Sequence, residues 1–247
     1  MSSAIEAIEA DRKVLLDVLS RVPDSVWASP SGCPGWSVHD LVSHMGCSFW
    51  LAVDPSKLPD PNGLPAERAA DLYVESRRSM TPEEVVADYE SVSTRGLELL
   101  AATEGLKIDV PLGDVGTYPA SVVPTAFAFE TYVHLRCDLF APNGPLDGEA
   151  EQADELRLGA TLDWIQAALP QQNASLINGM NTGAEVRLTG VCNRTLHIGA
   201  GTVAAQITCN AEGFVRWVTQ RNTWQSLDVH AEGDQPTLEV VQRLRVF

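Results

Sequence analysis

No Cys-x-x-Cys pair occurs in this chain, and its five cysteines (Cys33, Cys47, Cys137, Cys192 and Cys209) are odd in number and widely spread. That pattern argues against a disulfide framework and against a thiolate zinc knuckle, and leaves most of them as small buried hydrophobes. Long apolar runs are missing too: none approaches the ~20 residues that a membrane span requires. Cations are scarce, 17 lysines and arginines against 33 carboxylates, and the resulting net charge of −16 argues against nucleic acid or an anionic membrane as a partner. A small anionic substrate stays possible, because a local site can be positive on an acidic protein. The opening MSSAIEAIEADRK carries no signal-peptide core, so a cytoplasmic protein is expected, as monomer or dimer.

What is present is a chain of 247 residues, 45% hydrophobic, long enough for one large domain or two ordinary ones around a sizeable core. Its organising stretch is Phe127 to Phe140, FAFETYVHLRCDLF. Helical spacing sets Glu130, His134 and Asp138 four residues apart on one face, with Val123 and Phe127 on the same stripe. A carboxylate in an apolar stripe needs compensation. A metal ion supplies it, and so does a histidine hydrogen bond with no metal. Cys137, three residues past His134, is the cysteine expected to border such a site.

Four helical segments accompany this one. Ser3 to about Arg21 carries Ile5, Ile8, Leu15, Val18 and Leu19 at helical spacing, with Ser3 and Glu6 as a capping box. After Pro34 and Gly35, Ser37 with Asp40 reads as a helix N-cap. The helix behind it sets Leu41, His44, Ser48 and Leu51 on one face, which turns His44 inward, as a core histidine or as a ligand. His39 falls on another face and is expected to be solvated. Asp54 to Pro65 holds four prolines, which forbid regular structure and leave either a disordered excursion or a lid. A third helix spans Ala66 to about Arg78. Thr81, Pro82 and Glu84 then open a fourth that runs to about Thr103. A Gly- and Pro-rich crossover, DVPLGDVGTYP, leads into the central helix near Ser121.

Helices of this number and length, one joined by a long crossover, suit a four-helix bundle, which builds metal sites from inward side chains on facing helices. His44 with the Glu130–His134 pair makes three ligands and leaves a fourth position open, the pattern of a catalytic site. CPGWSVHDLVSHMG and FETYVHLRCDL resemble, in that order, the two helix signatures of the mycothiol-dependent maleylpyruvate isomerase family, a branch of the DinB-like metal-binding bundles. The resemblance implies His44, Glu130 and His134 as ligands of a divalent ion. Zinc comes first, with nickel or iron suiting the same donors. Asp138 and the Pro34-Gly35-Trp36 turn match as well. Asp138 would hold a His134 ring N–H from outside the ligand set, or else face solvent at the helix end.

An α+β chain is therefore expected: a DinB-like bundle over residues 1–145 and a small α+β domain over 146–247. In the second part a helix from about Glu151 to Leu169 precedes strands at Glu185–Thr189, Thr195–Ile198 and Val203–Thr208. A short helix follows at Ala211–Thr219, then a strand at Leu227–His230 and a closing helix at Pro236–Arg245. This part is similar to the sterol-carrier-like domain of the same family. The family carries a Gly-Arg pair here whose arginine reaches the active site. In WVTQRNTW, Arg221 matches and Gln220 replaces the glycine. Arg221 is then the substrate-binding cation of the site or an ordinary surface arginine, and no other cation is evident on the bundle's inward faces. His197 and His230 read as structural.

A zinc ion on two imidazoles and one carboxylate keeps positive charge enough to ionise a thiol, whose sulfur then attacks a held electrophile. The resemblance names that thiol as mycothiol and implies either its transfer to a small electrophilic substrate or a thiol-dependent isomerisation. A hydrolase using activated water and a non-catalytic small-ligand-binding protein are the alternative readings.

Overall fold

Helix α1 (Ser3–Leu19) is capped by Ser2 rather than Ser3: the Ser2 hydroxyl accepts from the Ile5 amide. Its Ile5, Ile8, Leu15 and Leu19 are buried, as their spacing predicts. Helix α2 (Val38–Val53) opens on a reciprocal capping box between Ser37 and Asp40. The Arg78 guanidinium also reaches Asp40, Nε to Oδ1 at 3.0 Å. Helix α3 (Ala66–Glu75) is about a turn shorter than its pattern suggests. Helix α4 (Pro82–Thr103) has the predicted limits, with Thr81 and Glu84 capping each other. This computed structural model describes residues 2–148 and 150–247.

The proline-rich stretch 54–65 is tethered at Leu58, which is buried with Cys47 of α2 and with Ala69 and Tyr73 of α3. The crossover before the central helix has a structure of its own. It folds as a hairpin, β1 (Asp109–Pro111) against β2 (Thr117–Pro119), with Tyr118 buried and its hydroxyl donating to the Val115 carbonyl at 2.8 Å.

Helix α5 (Val123–Val133) begins two residues later than Ser121 and stops short of Phe140. From His134 to Asp138 the backbone widens into a π-turn, closed by the Leu139 amide on the His134 carbonyl five residues back at 3.1 Å. A continuous α-helix through Asp138 is therefore corrected. Such π-turns re-aim side chains and recur at functional sites. Helices α1 and α2 each pack on both α4 and α5, so the four close into a ring, with α3 lying on α2. Approach of α2 to α4 depends on Gly96, where a Cβ would stand 2.3 Å from the Phe49 ring.

The chain divides into two compact units, Met1–Gln152 and Ala153–Phe247. In the second, α6 (Glu155–Gln172) starts at the Asp154 cap, and α7 (Ala174–Ile177) follows it. A four-stranded sheet comes next, in the order β4-β3-β5-β6. Its strands are β3 (Gly183–Thr189), β4 (Arg194–Ile198), β5 (Val203–Asn210) and β6 (His230–Gly233). Strand β5 runs parallel to β3, and the outer pairs are antiparallel. Helices α8 (Ala211–Val218) and α9 (Gln235–Gln242) pack on this sheet. Strand β6 lies three residues beyond the predicted Leu227–His230, because Trp224–Ser226 forms a 3-10 turn with Trp224 against Trp217. All four residues of β6 are exposed, so no apolar alternation marked it.

One ion pair ties α1 to the π-turn. Arg136 donates from both terminal nitrogens to the two Asp11 oxygens at 2.7 Å each, with Asp11 2% and Arg136 8% exposed. Breaking a buried pair from one side strands a charge and costs about 3–5 kcal/mol, whereas replacing both members with apolar groups is often near neutral. Asp11→Ala should lose that much in urea unfolding, and Asp11→Leu with Arg136→Met should recover most of it. A single-variant loss under about 1 kcal/mol would rule the pair out as an anchor.

Candidate metal centre

Three side chains converge between α2 and α5. The α2 capping box fixes the start of that helix, and two turns on, His44 faces α5. Its Nε2 stands 2.9 Å from Glu130 Oε1. Ser48, one turn further along α2, donates its hydroxyl to the same oxygen. His134 follows one turn after Glu130, and its ring meets that of His44 edge-on at 5.1 Å. Candidate ligand atoms of His44, Glu130 and His134 all lie within 4.8 Å of one another. Met45, Phe49 and Phe127 line the space beside Glu130 and Ser48, so the carboxylate does sit in an apolar stripe. Leu51, expected on the His44 face, is instead 46% exposed.

Protonation suits metal ligands. Burial pushes the Glu130 carboxyl up, but the His44 and His134 imidazoles and the Ser48 hydroxyl outweigh it and hold the group below its ordinary value. Burial pulls the His134 imidazole below its ordinary value, against the opposing pull of Asp138. A carboxylate and a neutral imidazole are the forms that bind a cation.

Asp138 is 0% exposed, so it does not face solvent at a helix end. Its Oδ2 lies 2.8 Å from His134 Nδ1, which commits that nitrogen and leaves Nε2 as the lone-pair nitrogen of the neutral ring. Two residues at the site, both within the CPGW motif, were given no role there by sequence reasoning. Trp36 packs its ring on His44, with centroids 4.7 Å apart, while its indole N–H donates to Asp71 of α3 at 3.1 Å. Cys33, not Cys137, is the thiol brought to the site. Its Sγ lies 3.3 Å from Asp138 Oδ2 and 3.8 Å from His134 Nδ1. Cys137 is buried and outside the converging ligand atoms. Only the Pro34-Gly35-Trp36 turn next to Cys33 hinted at its place, since its partners lie more than a hundred residues on.

His39 is half-buried and bonded to the Met80 carbonyl at 2.9 Å, so it is not merely solvated. The bundle also carries interior cations beyond those expected. Arg136 is paired with Asp11, and Arg77 stands 3.9 Å from Asp88 beside Cys47. Burial raises the Cys47 thiol to about 11, so it is no nucleophile at neutral pH.

The sequence profile of the mycothiol maleylpyruvate isomerase N-terminal domain matches residues 8–140. The chain belongs to that family. An uncharacterised protein of Mycobacterium tuberculosis, found in two strains, is 25% identical over 92% of this chain and 88% of its own length. The crystal structure of the mycothiol-dependent maleylpyruvate isomerase, and that of a point mutant of it, superimpose with a TM-score of 0.61. They share 17% identity and cover 96% of both chains. That likeness extends the shared fold over the second unit, which the profile does not reach.

In the second unit, Arg221 follows α8 in a turn that answers the question raised by Gln220. Gln220 adopts φ 62°, the left-handed conformation in which glycine is at ease. Its amide donates to the Trp217 carbonyl and that of Arg221 to the Arg216 carbonyl, both at 2.9 Å, a Schellman closure of α8. The glutamine therefore keeps the turn that a glycine would make. The Arg221 Nη1 donates to the Thr219 carbonyl at 2.9 Å.

Gly32 shows how tightly this cluster is walled. A Cβ there would stand 2.7 Å from both Asp138 Cα and Oδ1. Gly32→Ala should destabilise the protein by about 1–3 kcal/mol, read from chemical denaturation. An unchanged midpoint would mean that Asp138 is free to move away.

Proposed function

We propose that this member of the family is a metal-dependent enzyme that uses a small thiol, with His44, Glu130 and His134 holding one divalent ion. The observation that carries the reading is the convergence of these three side chains from two helices within 4.8 Å. The donor set fits the ion: two imidazoles and a carboxylate suit zinc first, and nickel or iron as well. Bound there, such an ion lowers the pKa of a thiol brought beside it, so that the sulfur is nucleophilic at neutral pH.

The chain's own residues orient and shield. Ser48 and His44 hold the Glu130 carboxylate. Asp138 holds the Nδ1 side of His134 and so fixes its tautomer. Trp36 covers His44, and Phe127 and Met45 keep the Glu130 side apolar, which strengthens every electrostatic contact there. Family membership points to mycothiol as the thiol. A small electrophilic substrate accepts its sulfur and then either keeps it, as in S-transfer, or releases it after isomerisation. In this reading Arg221 binds a carboxylate of that substrate as a planar fork, and the protein works in the cytoplasm.

Metal analysis of the purified protein should find one divalent ion per chain. His44→Ala, Glu130→Ala and His134→Ala should each lose it while α-helical circular dichroism persists. Turnover of an electrophile should require mycothiol. Full metal occupancy in any of the three variants would refute the ligand set. A metal-loaded protein that turns over substrate with water alone would make it a hydrolase, and a metal-free folded protein would make it a binding module.

Arg221→Ala should keep the metal and lower kcat/KM for a dicarboxylate electrophile about 10- to 100-fold, the worth of a charge-assisted hydrogen bond. Arg221→Lys should recover only part, because a point charge lacks the bidentate contact. Equal losses on charged and uncharged electrophiles would remove Arg221 from substrate binding.

A further inference from the structure

The turn from Ser31 to Trp36 is built against the inner wall of the centre, and it ends on both imidazoles. Pro34 and Gly35 (φ 84°) make the corner. The Trp36 amide donates to the Cys33 carbonyl at 3.1 Å, and the Ser31 amide to the Trp36 carbonyl at 2.9 Å. The Ser31 hydroxyl accepts from the Cys33 amide at 3.2 Å. Gly32 donates its amide to the Asp138 carbonyl at 2.8 Å and leaves no room for a side chain. The outcome is a thiol placed by backbone contacts on its own residue, on Gly32 and on Trp36.

That thiol meets the Asp138 oxygen already engaged with His134. Oδ2 stands 2.8 Å from the ring Nδ1 and 3.3 Å from Cys33 Sγ. A fully buried carboxylate needs donors to offset its desolvation, and the direction of those donors sets its rotamer. Asp138 in turn sets the plane and tautomer of His134. From these contacts we infer that Cys33 is a positioning residue of the metal centre: its S–H holds Asp138, and Asp138 holds His134. This rests on the reading of His44, Glu130 and His134 as metal ligands.

Cys33, His134 and Asp138 also satisfy ligand spacing as a set of their own. Ligation by that set would take Nδ1 away from its Asp138 bond and leave the ring unsupported for the Glu130 side. The two roles differ in what cobalt reports, since a thiolate ligand adds a near-ultraviolet sulfur-to-cobalt charge-transfer band and a hydrogen-bonding thiol does not.

The test loads the full chain with Co(II) and measures affinity by competition with a chromophoric chelator. The proteins compared are wild type, Cys33→Ala, Cys33→Ser, Asp138→Asn and the Cys33→Ala/Asp138→Asn double variant, with thermal unfolding of each metal-free form as control. Cys33→Ala should bind cobalt about 10-fold more weakly at similar metal-free stability, and Cys33→Ser, which keeps a donor, should recover most of that. The double variant should be no weaker than Asp138→Asn alone, because Cys33 acts through Asp138. Wild type should show tetrahedral d–d bands without the charge-transfer band. Wild-type affinity in Cys33→Ala, no rescue by serine, additive losses in the double variant, or a thiolate band in wild type would each overturn the positioning role. Wild-type protein that takes up no cobalt would instead overturn the metal reading on which the inference rests.

Discussion

Three carboxylates drawn toward the interior of the first unit, Asp11 and Asp138 buried and Glu130 with its side chain 26% exposed, are each compensated by a partner that sets the position of something else. Glu130 is balanced by His44, His134 and Ser48, which draws α2 onto α5. Asp138, fully buried, is met by His134 and Cys33, which draws the Ser31–Trp36 turn onto the end of α5. Asp11 is met by Arg136, which draws α1 onto the same π-turn. A carboxylate left without such partners inside a core would cost several kcal/mol. The polar anchors therefore specify the arrangement of the helices around the site, while Leu15, Leu41, Tyr89 and Leu135 fill the space between them.

Much of this was legible because it is local. Capping boxes at Ser37–Asp40 and Thr81–Glu84 are written within four residues, and both formed. The i, i+4 spacing of Glu130 and His134 survives because it lies at the α-helical end of the segment. Past His134 the same rule misleads. The π-turn adds a residue to the turn, and whether Asp138 faces solvent or the ring depends on Gly32 and Cys33, which approach from more than a hundred residues away in sequence. Distance along the chain also explains the choice of Cys137 over Cys33: proximity in sequence stood in for proximity in space. Strand β6 was misplaced for a different reason, since an edge strand exposed along its length carries no apolar alternation.

Gln220 joins the two kinds of information. By type it departs from the glycine expected before Arg221, yet its backbone takes up the left-handed conformation that a glycine would. A non-glycine residue pays about 1–2 kcal/mol for that conformation. Here the Schellman closure and side-chain amide contacts to the Trp217 and Leu244 carbonyls accompany it. Turn geometry can thus persist through a change of residue type when neighbouring contacts over-determine it.

The proposed function requires one divalent ion on His44, Glu130 and His134. X-ray absorption at the metal edge tests it most directly. With the zinc-loaded protein alone, the fine structure should show nitrogen and oxygen scatterers at about 2.0–2.1 Å, outer-shell scattering from two imidazoles, and no sulfur. Adding the small thiol should bring in a single sulfur at about 2.3 Å. Sulfur in the first shell before any thiol is added, or a shell without imidazole scattering, would contradict the claim.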